Sequence, residues 1–97
     1  MSIEREDIRY ALTHKGFQEG RRARDHDFYW LVVNGKRTAV FTKLSTGTGH
    51  RTYRDGLVKK VAAQVKLTVP QFKQYVSCSM SHDEYLRVLR ERGINLD

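Results

Sequence analysis

The chain has 97 residues, which is enough for one compact domain with a modest core and too few for two independently stable ones. Hydrophobic residues make up 39% of it and charged residues 30%, a balance that indicates a folded globular protein and excludes a disordered one. The net charge of +7 is concentrated in residues 28–82, which hold nine basic residues and one acid. A basic excess of this kind attracts polyanions, so we expect nucleic acid as the partner, with a solubilising surface or an acidic protein partner as alternatives.

The first predicted element is a helix. Ser2 is a candidate N-cap, acidic residues follow in the first turn, and Gly16 is placed to end the helix in the left-handed conformation. Residues 17–24 are short, polar and interrupted by Gly20, and we expect an edge strand there.

A β-hairpin is the next prediction. Residues 26–33 and 37–44 have strand composition and flank Asn34-Gly35, the residue pair that a type I′ turn favours. Side-chain alternation puts Phe28 and Trp30 on the same face as the strand's opening histidine, yet residues 28–33 are all apolar or aromatic. Either both faces are covered within the chain, or the face with Phe28 and Trp30 is kept for a partner. We favour the first alternative, because the C-terminal helices need a surface on which to pack.

A polar loop with three glycines follows at 45–56 and contains Arg51 and Arg54. It lacks the Gly-Lys-Ser/Thr ending of a P-loop, and it is either a phosphate-binding segment or a plain connector. Asp55 is a candidate cap for a second helix, which carries Lys59 and Lys60 on its polar face.

Two shorter helices are predicted after this second helix. Thr68 caps one of them, and Ser81, three residues before Glu84, opens the other with a capping box. The order predicts an α+β fold with a three-stranded antiparallel sheet, helices on one face, and two short C-terminal helices.

Cysteine usage and hydropathy bear on the compartment. The single Cys78 cannot form an internal disulfide, and we expect a buried, inert thiol. The chain has no apolar leader and no apolar run near the roughly 18 residues that a membrane span needs. We therefore expect a cytoplasmic protein without a membrane partner.

The chemistry on offer is that of histidine and arginine. No spacing of Cys and His suggests zinc, and no nucleophile elbow is present. RNA supplies its own nucleophile in the ribose 2′-hydroxyl, so cleaving it requires a proton acceptor and donor near pH 7 and cations for the phosphate. His26 lies within a few residues of three arginines, and Asp25 and Asp27 flank it and could orient its ring or raise its pKa. The alternative is a structural histidine at the start of a strand.

A family resemblance bears on this choice. The order helix, three strands, helix, with Arg24 before a turn, His26 opening the second strand and an aromatic residue three positions later, resembles the HicA-type toxins of toxin–antitoxin systems. The segments 7–17 and 56–61 fit the two helices of that family. The resemblance covers about residues 5–67. It divides the single domain that the length predicts over 1–97 into a HicA-like core at 1–67 and a helical extension at 68–97.

The resemblance implies a fold like the double-stranded-RNA-binding domain and a metal-independent ribonuclease that cleaves mRNA without a cofactor. It implies that His26 is the general base or acid, and that a HicB-type antitoxin silences the protein by docking on the face with Phe28 and Trp30. It also implies a set of basic residues that hold the RNA backbone: Arg21, Arg22, Arg24, Lys43, Arg51, Arg54, Lys59 and Lys60.

Three other functions are compatible with the same residues. A non-catalytic module could bind double-stranded RNA by its shape and phosphates, which requires basic residues on a helix and loop but no histidine. A protein adaptor could use the aromatic strand. A basic domain without any nucleic-acid role is the remaining alternative.

Overall fold

The computed structural model describes residues 2–23, 26–47, 49, 51–77 and 79–96, apart from the side chains of 21–23. It has an α+β fold whose elements follow the order β1 (Ser2–Glu4), α1 (Arg5–His14), β2 (Phe17–Ala23), β3 (His26–Val33), β4 (Lys36–Ser45), β5 (Thr52–Arg54), α2 (Asp55–Gln64), α3 (Val69–Val76) and α4 (His82–Glu91). Strands β2, β3 and β4 form an antiparallel sheet in that order, so the predicted three-stranded sheet is confirmed. Cys78, for which we predicted a buried thiol, lies outside the described residues.

The hairpin between β3 and β4 turns at Asn34 and Gly35. Both residues have positive φ angles, 52° and 77°, as a type I′ turn requires. Gly16 likewise takes a φ of 96° after α1, and this left-handed residue turns the chain into β2. These local signals were correctly interpreted from the sequence.

The core lies on one face of the sheet. In β3 every second residue is buried, beginning with Asp27, and Tyr29 and Leu31 belong to one hydrophobic cluster with residues of all four helices. Phe28 and Trp30, which alternate with them, are half-buried and do not belong to that cluster. Our expectation that both faces are covered within the chain is therefore wrong, because the helices pack against a single face.

The first and second helices begin differently from what the sequence suggested. Ser2 is not an N-cap, since it lies in β1 and pairs with Arg54 of β5 in a second, two-stranded sheet. This pairing keeps both segments extended until the helices start, so α1 has Glu4 at its N-cap. Asp55 is likewise the first residue of α2 rather than its cap.

The third and fourth helices begin as predicted. Thr68 accepts a hydrogen bond from the Gln71 amide, and Ser81 accepts one from the Glu84 amide, each within a complete capping box. Lys15, at the end of α1, donates through Nζ to the carbonyl oxygen of Met80 at 2.8 Å. The hydrophobic cluster also includes residues from both 1–67 and 68–97, so the two parts pack together. None of the described helices is long and apolar enough to cross a membrane.

Candidate active site

A cleft of about 420 Å³ opens where the start of β3, the end of β4, β5 and α2 meet. His26, the predicted catalytic residue, lines this cleft. The other polar side chains at its wall are Lys43, Ser45, Thr46, Tyr53, Lys60 and Gln64. The structure therefore brings the histidine together with two of the predicted RNA-binding lysines, although these three residues are far apart in sequence.

Strand register and helix spacing explain this grouping. His26 is the first residue of β3 and pairs with Ser45, the last residue of β4, so both lie at the same end of the sheet. Helix α2 is fastened beside β4 by a hydrogen bond of 2.6 Å from Thr42 Oγ1 to Gln64 Oε1. Lys60 lies four residues before Gln64 and therefore on the same side of the helix, facing the cleft.

Asp27, the described neighbour of His26, has its place on the opposite face of β3. It is 4% exposed, and its Oδ2 lies 3.7 Å from Nη2 of Arg9 on α1. Arg9 also donates from Nε to the Tyr29 hydroxyl at 2.8 Å and forms an ion pair with Glu6. Partial burial alone would lower the pKa of Arg9, but its hydrogen bonds to Glu6 and Tyr29 raise it above the ordinary value, so the guanidinium stays charged. Asp27 thus belongs to a charged network beneath the sheet.

The glycine-rich loop at the rim of the cleft is held by Arg5, which sequence reasoning missed. The Arg5 side chain is buried and donates from Nη2 to the Gly47 carbonyl at 2.8 Å. Its Nη1 lies 3.3 Å from both the Gly49 carbonyl and Ser45 Oγ. The Tyr53 hydroxyl accepts a hydrogen bond of 2.8 Å from the Ser45 amide. No local pattern marks Arg5, because its acceptors are 40 or more positions further along the chain.

Of the six remaining predicted RNA-binding residues, three have described side chains, and these lie on α2 or near β5. Lys59 is exposed on α2, and Arg51 and Arg54 are exposed around a shallow depression that shares Leu57 with the cleft. Two more of them, Arg21 and Arg22, belong to β2, but their side chains are outside the described part of the chain. Arg24 and Asp25 also lie outside the described residues.

The open face of the sheet carries an aromatic cluster that extends the predicted pair. Phe28 and Trp30 are joined by Phe41 of β4, which is 42% exposed and which we had not singled out. Ring centroids lie 5.6 Å apart for Phe28 and Trp30, 5.7 Å for Trp30 and Phe41, and 6.2 Å for Phe28 and Phe41. Part of the signal for Phe41 was available, because strand alternation puts it on the same face as Phe28 and Trp30. Its place opposite Trp30 depends on a register shift between Trp30 and Val32, which the sequence did not reveal.

Comparisons of this chain with protein-family models, with curated proteins and with solved structures find no match. Among the described residues, no group of three or more His, Cys, Asp and Glu side chains is arranged to hold a metal ion.

Proposed function

We propose that this protein is a HicA-like endoribonuclease that cleaves mRNA in the cytoplasm and so blocks translation, with His26 as the proton-transfer residue. The observation that carries the proposal is the cleft in which His26 lies with Lys43 and Lys60. A half-buried imidazole beside two ammonium groups supplies the three parts that RNA cleavage by its own 2′-hydroxyl requires.

In the proposed reaction, RNA is cleaved by its own 2′-hydroxyl, and His26 carries one proton from the attacking oxygen to the leaving oxygen. His26 accepts the proton of the ribose 2′-hydroxyl, whose oxygen then forms a bond to the adjacent phosphorus. The bond from phosphorus to the 5′ oxygen breaks, and the imidazolium returns its proton to that leaving oxygen. The products are a 2′,3′-cyclic phosphate and a 5′-hydroxyl. Lys43 and Lys60 stabilise the additional negative charge on the phosphorane, which is why cations near the histidine matter.

The test compares wild type with His26→Ala on a defined RNA, and His14→Ala is the matched control. His14 is exposed at the end of α1, where its Nδ1 contacts the Tyr10 carbonyl oxygen, and it does not line the cleft. We expect His26→Ala to lower cleavage by about 10²–10⁴-fold, the usual contribution of general acid–base catalysis, with RNA binding retained. Cleavage by His26→Ala at the wild-type rate would refute the proposal. A single 2′-deoxy substitution at the cut site should also stop cleavage.

Silencing by a HicB-like antitoxin is part of this proposal. An antitoxin that covers the cleft would remove access to His26 without unfolding the protein. Its expected signature is loss of cleavage when the two proteins are mixed in equal amounts. A reading frame beside the gene, encoding a protein that binds this one, is the observation to seek.

A second candidate function is favoured by the exposed Lys59 and by the arginines near Leu57. Exposed cations on a helix and an adjoining loop suit an RNA-binding module that performs no cleavage. For that module, Lys59→Ala should weaken RNA binding and reduce its dependence on salt concentration, whereas His26→Ala should leave RNA binding unchanged. The cleavage assay therefore separates the two functions: a ribonuclease cleaves RNA as wild type and loses cleavage as His26→Ala, whereas the module cleaves in neither form.

A further inference from the structure

Three aromatic rings on the open face of the sheet lie outside the hydrophobic core, and we call Phe28, Trp30 and Phe41 the aromatic platform. Their planes are nearly parallel, with interplanar angles of 22°, 24° and 27°. Aromatic residues on an open sheet face lose part of the hydrophobic benefit that burial would give them. Their concentration on this open face therefore favours a ligand that contacts the flat faces of aromatic rings.

The Trp30 ring of the platform is packed against residues of both neighbouring strands. The Arg37 guanidinium lies over the Trp30 ring, 4.2 Å from its centroid. Against β2, a Cβ atom at Gly20 would come within 2.6 Å of the Trp30 ring, so the absence of a side chain at Gly20 lets the indole lie close to the strand. Such an ordered ring loses little conformational entropy when a ligand stacks beside it.

Charge on this face favours an anionic ligand. Strand alternation places Arg37 and Lys43 on the same face as the platform, Arg37 opposite Val32 and Lys43 opposite Phe28. The residues of β3 and β4 on this face include no acid. His26 is two residues before Phe28 on that same face, which is about 7 Å along a strand. A chain with a phosphate at His26 therefore places its neighbouring units over the platform.

We propose that the aromatic platform binds the unpaired bases of single-stranded RNA by stacking, while Arg37 and Lys43 contact its phosphates. Flat rings combined with cations and no acids match the chemistry of a single strand, whose bases are free to stack and whose backbone is anionic. An acidic protein would satisfy the cations but would leave the parallel rings without flat partners. The inference rests on the proposed function, since it identifies the substrate of the His26 cleft as single-stranded.

Trp30 is the only tryptophan in the chain, so its fluorescence reports directly on the platform. The probe is an eight-nucleotide oligoadenylate with 2′-O-methyl riboses, which lacks the free hydroxyl needed for cleavage. We expect this probe to quench Trp30 fluorescence, and Phe41→Ala to weaken its binding on the order of tenfold, the usual effect of losing one base–aromatic stack. An abasic oligomer of equal length and charge should bind much more weakly.

The matched control is Tyr10→Ala. Tyr10 is an aromatic side chain 59% exposed, but it lies on α1 and stacks on His14, away from the platform. Circular dichroism and thermal melting check that each variant is folded. If Phe41→Ala does not fold, Phe41→Leu replaces it, because leucine keeps the apolar contact but has no aromatic ring. Tyr10→Ala should bind the probe as wild type does.

Three results would overturn the inference. The first is equal binding of probe by wild type and Phe41→Ala, and the second is equal binding of the base-containing and abasic oligomers. The third is a dimer of this chain that Phe41→Ala dissociates and that the probe does not disturb.

If His26→Ala abolishes cleavage but Phe41→Ala binds the probe normally, the inference about the platform fails and the proposed ribonuclease stands. If wild type never cleaves RNA but shows base-dependent quenching, the proposed ribonuclease alone fails.

Discussion

Replacing Arg5 by Met removes the side chain that ties α1 to the glycine-rich loop of the cleft. The guanidinium donates to the carbonyls of Gly47 and Gly49 and lies 3.3 Å from Ser45 Oγ. Met keeps the length and the apolar contacts of the stem but donates no hydrogen bond. The substitution therefore tests how much this one connection stabilises the protein.

The magnitude follows from the geometry. The 2.8 Å bond to Gly47 is charge-assisted, and such bonds contribute about 1.5–3 kcal/mol. The two contacts at 3.3 Å are weaker, and both glycines are exposed, so water replaces the lost donor there. Arg5 is only 6% exposed, and its Nε is a buried donor without a hydrogen bond. Removing this costly buried charge offsets part of the lost stability. We expect the free energy of unfolding to fall by about 2 kcal/mol, which lowers Tm by about 8–16 °C in a domain of this size.

Urea unfolding of wild type, Arg5→Met, Arg5→Lys and Arg87→Met measures the effect. Arg87 is exposed on α4 and controls for the loss of one surface charge. Arg5→Lys should fall between wild type and Arg5→Met, because an ammonium keeps the charge but cannot reproduce the planar fork that reaches several acceptors. A loss below about 0.5 kcal/mol, the range of ordinary surface changes, would refute the argument that Arg5 anchors the loop.

Four smaller predictions concern two tyrosines of the core and the packing of Trp30 in the platform. Tyr85→Phe should lower the free energy of unfolding by about 1–2 kcal/mol, because its hydroxyl donates to the buried Val65 carbonyl at 2.8 Å. Tyr75→Phe should cost about 0.5 kcal/mol or less by the same urea assay, since its contacts are 3.4 and 3.5 Å long. Burial raises the pKa of Tyr85 well above its ordinary value, so the phenol ionises in the unfolded state at a lower pH than in the folded state. Above about pH 10, the difference in free energy of unfolding between wild type and Tyr85→Phe should therefore narrow by about 1.4 kcal/mol per pH unit. A difference that stays constant with pH would contradict this. Gly20→Ala should displace the Trp30 ring, which a change in its fluorescence emission would report.

Features specified by neighbouring residues could be predicted from the sequence. The capping boxes at Thr68 and Ser81 and the turn at Asn34 and Gly35 each depend on two to four adjacent positions, and all of them occur in the structure. The three-stranded sheet follows from such signals together with strand composition. Within the site, the position of His26 at a strand start was predictable for the same reason.

Features specified by distant pairing could not be predicted. Residues 2–4 were predicted to be the cap and first turn of a helix, and they are extended because they pair with residues 52–54. Burial of Arg5 has the same origin, since its acceptors belong to the loop after β4. The faces of β3 were ambiguous because apolar residues occupy both, and only the packing of the helices decides which face is covered.

Strands β3 and β4 present two different sets of side chains through alternation. Tyr29, Leu31 and Val40 project into the core and are almost completely buried. The residues between them face away from the helices, so their identity is constrained much less by packing. The aromatic side chains on this face, Phe28, Trp30 and Phe41, lie outside the hydrophobic core and keep apolar surface in contact with water. The proposed stacking of RNA bases would give these side chains a role, and substitutions at Phe41 should then separate binding from folding more cleanly than substitutions at Tyr29.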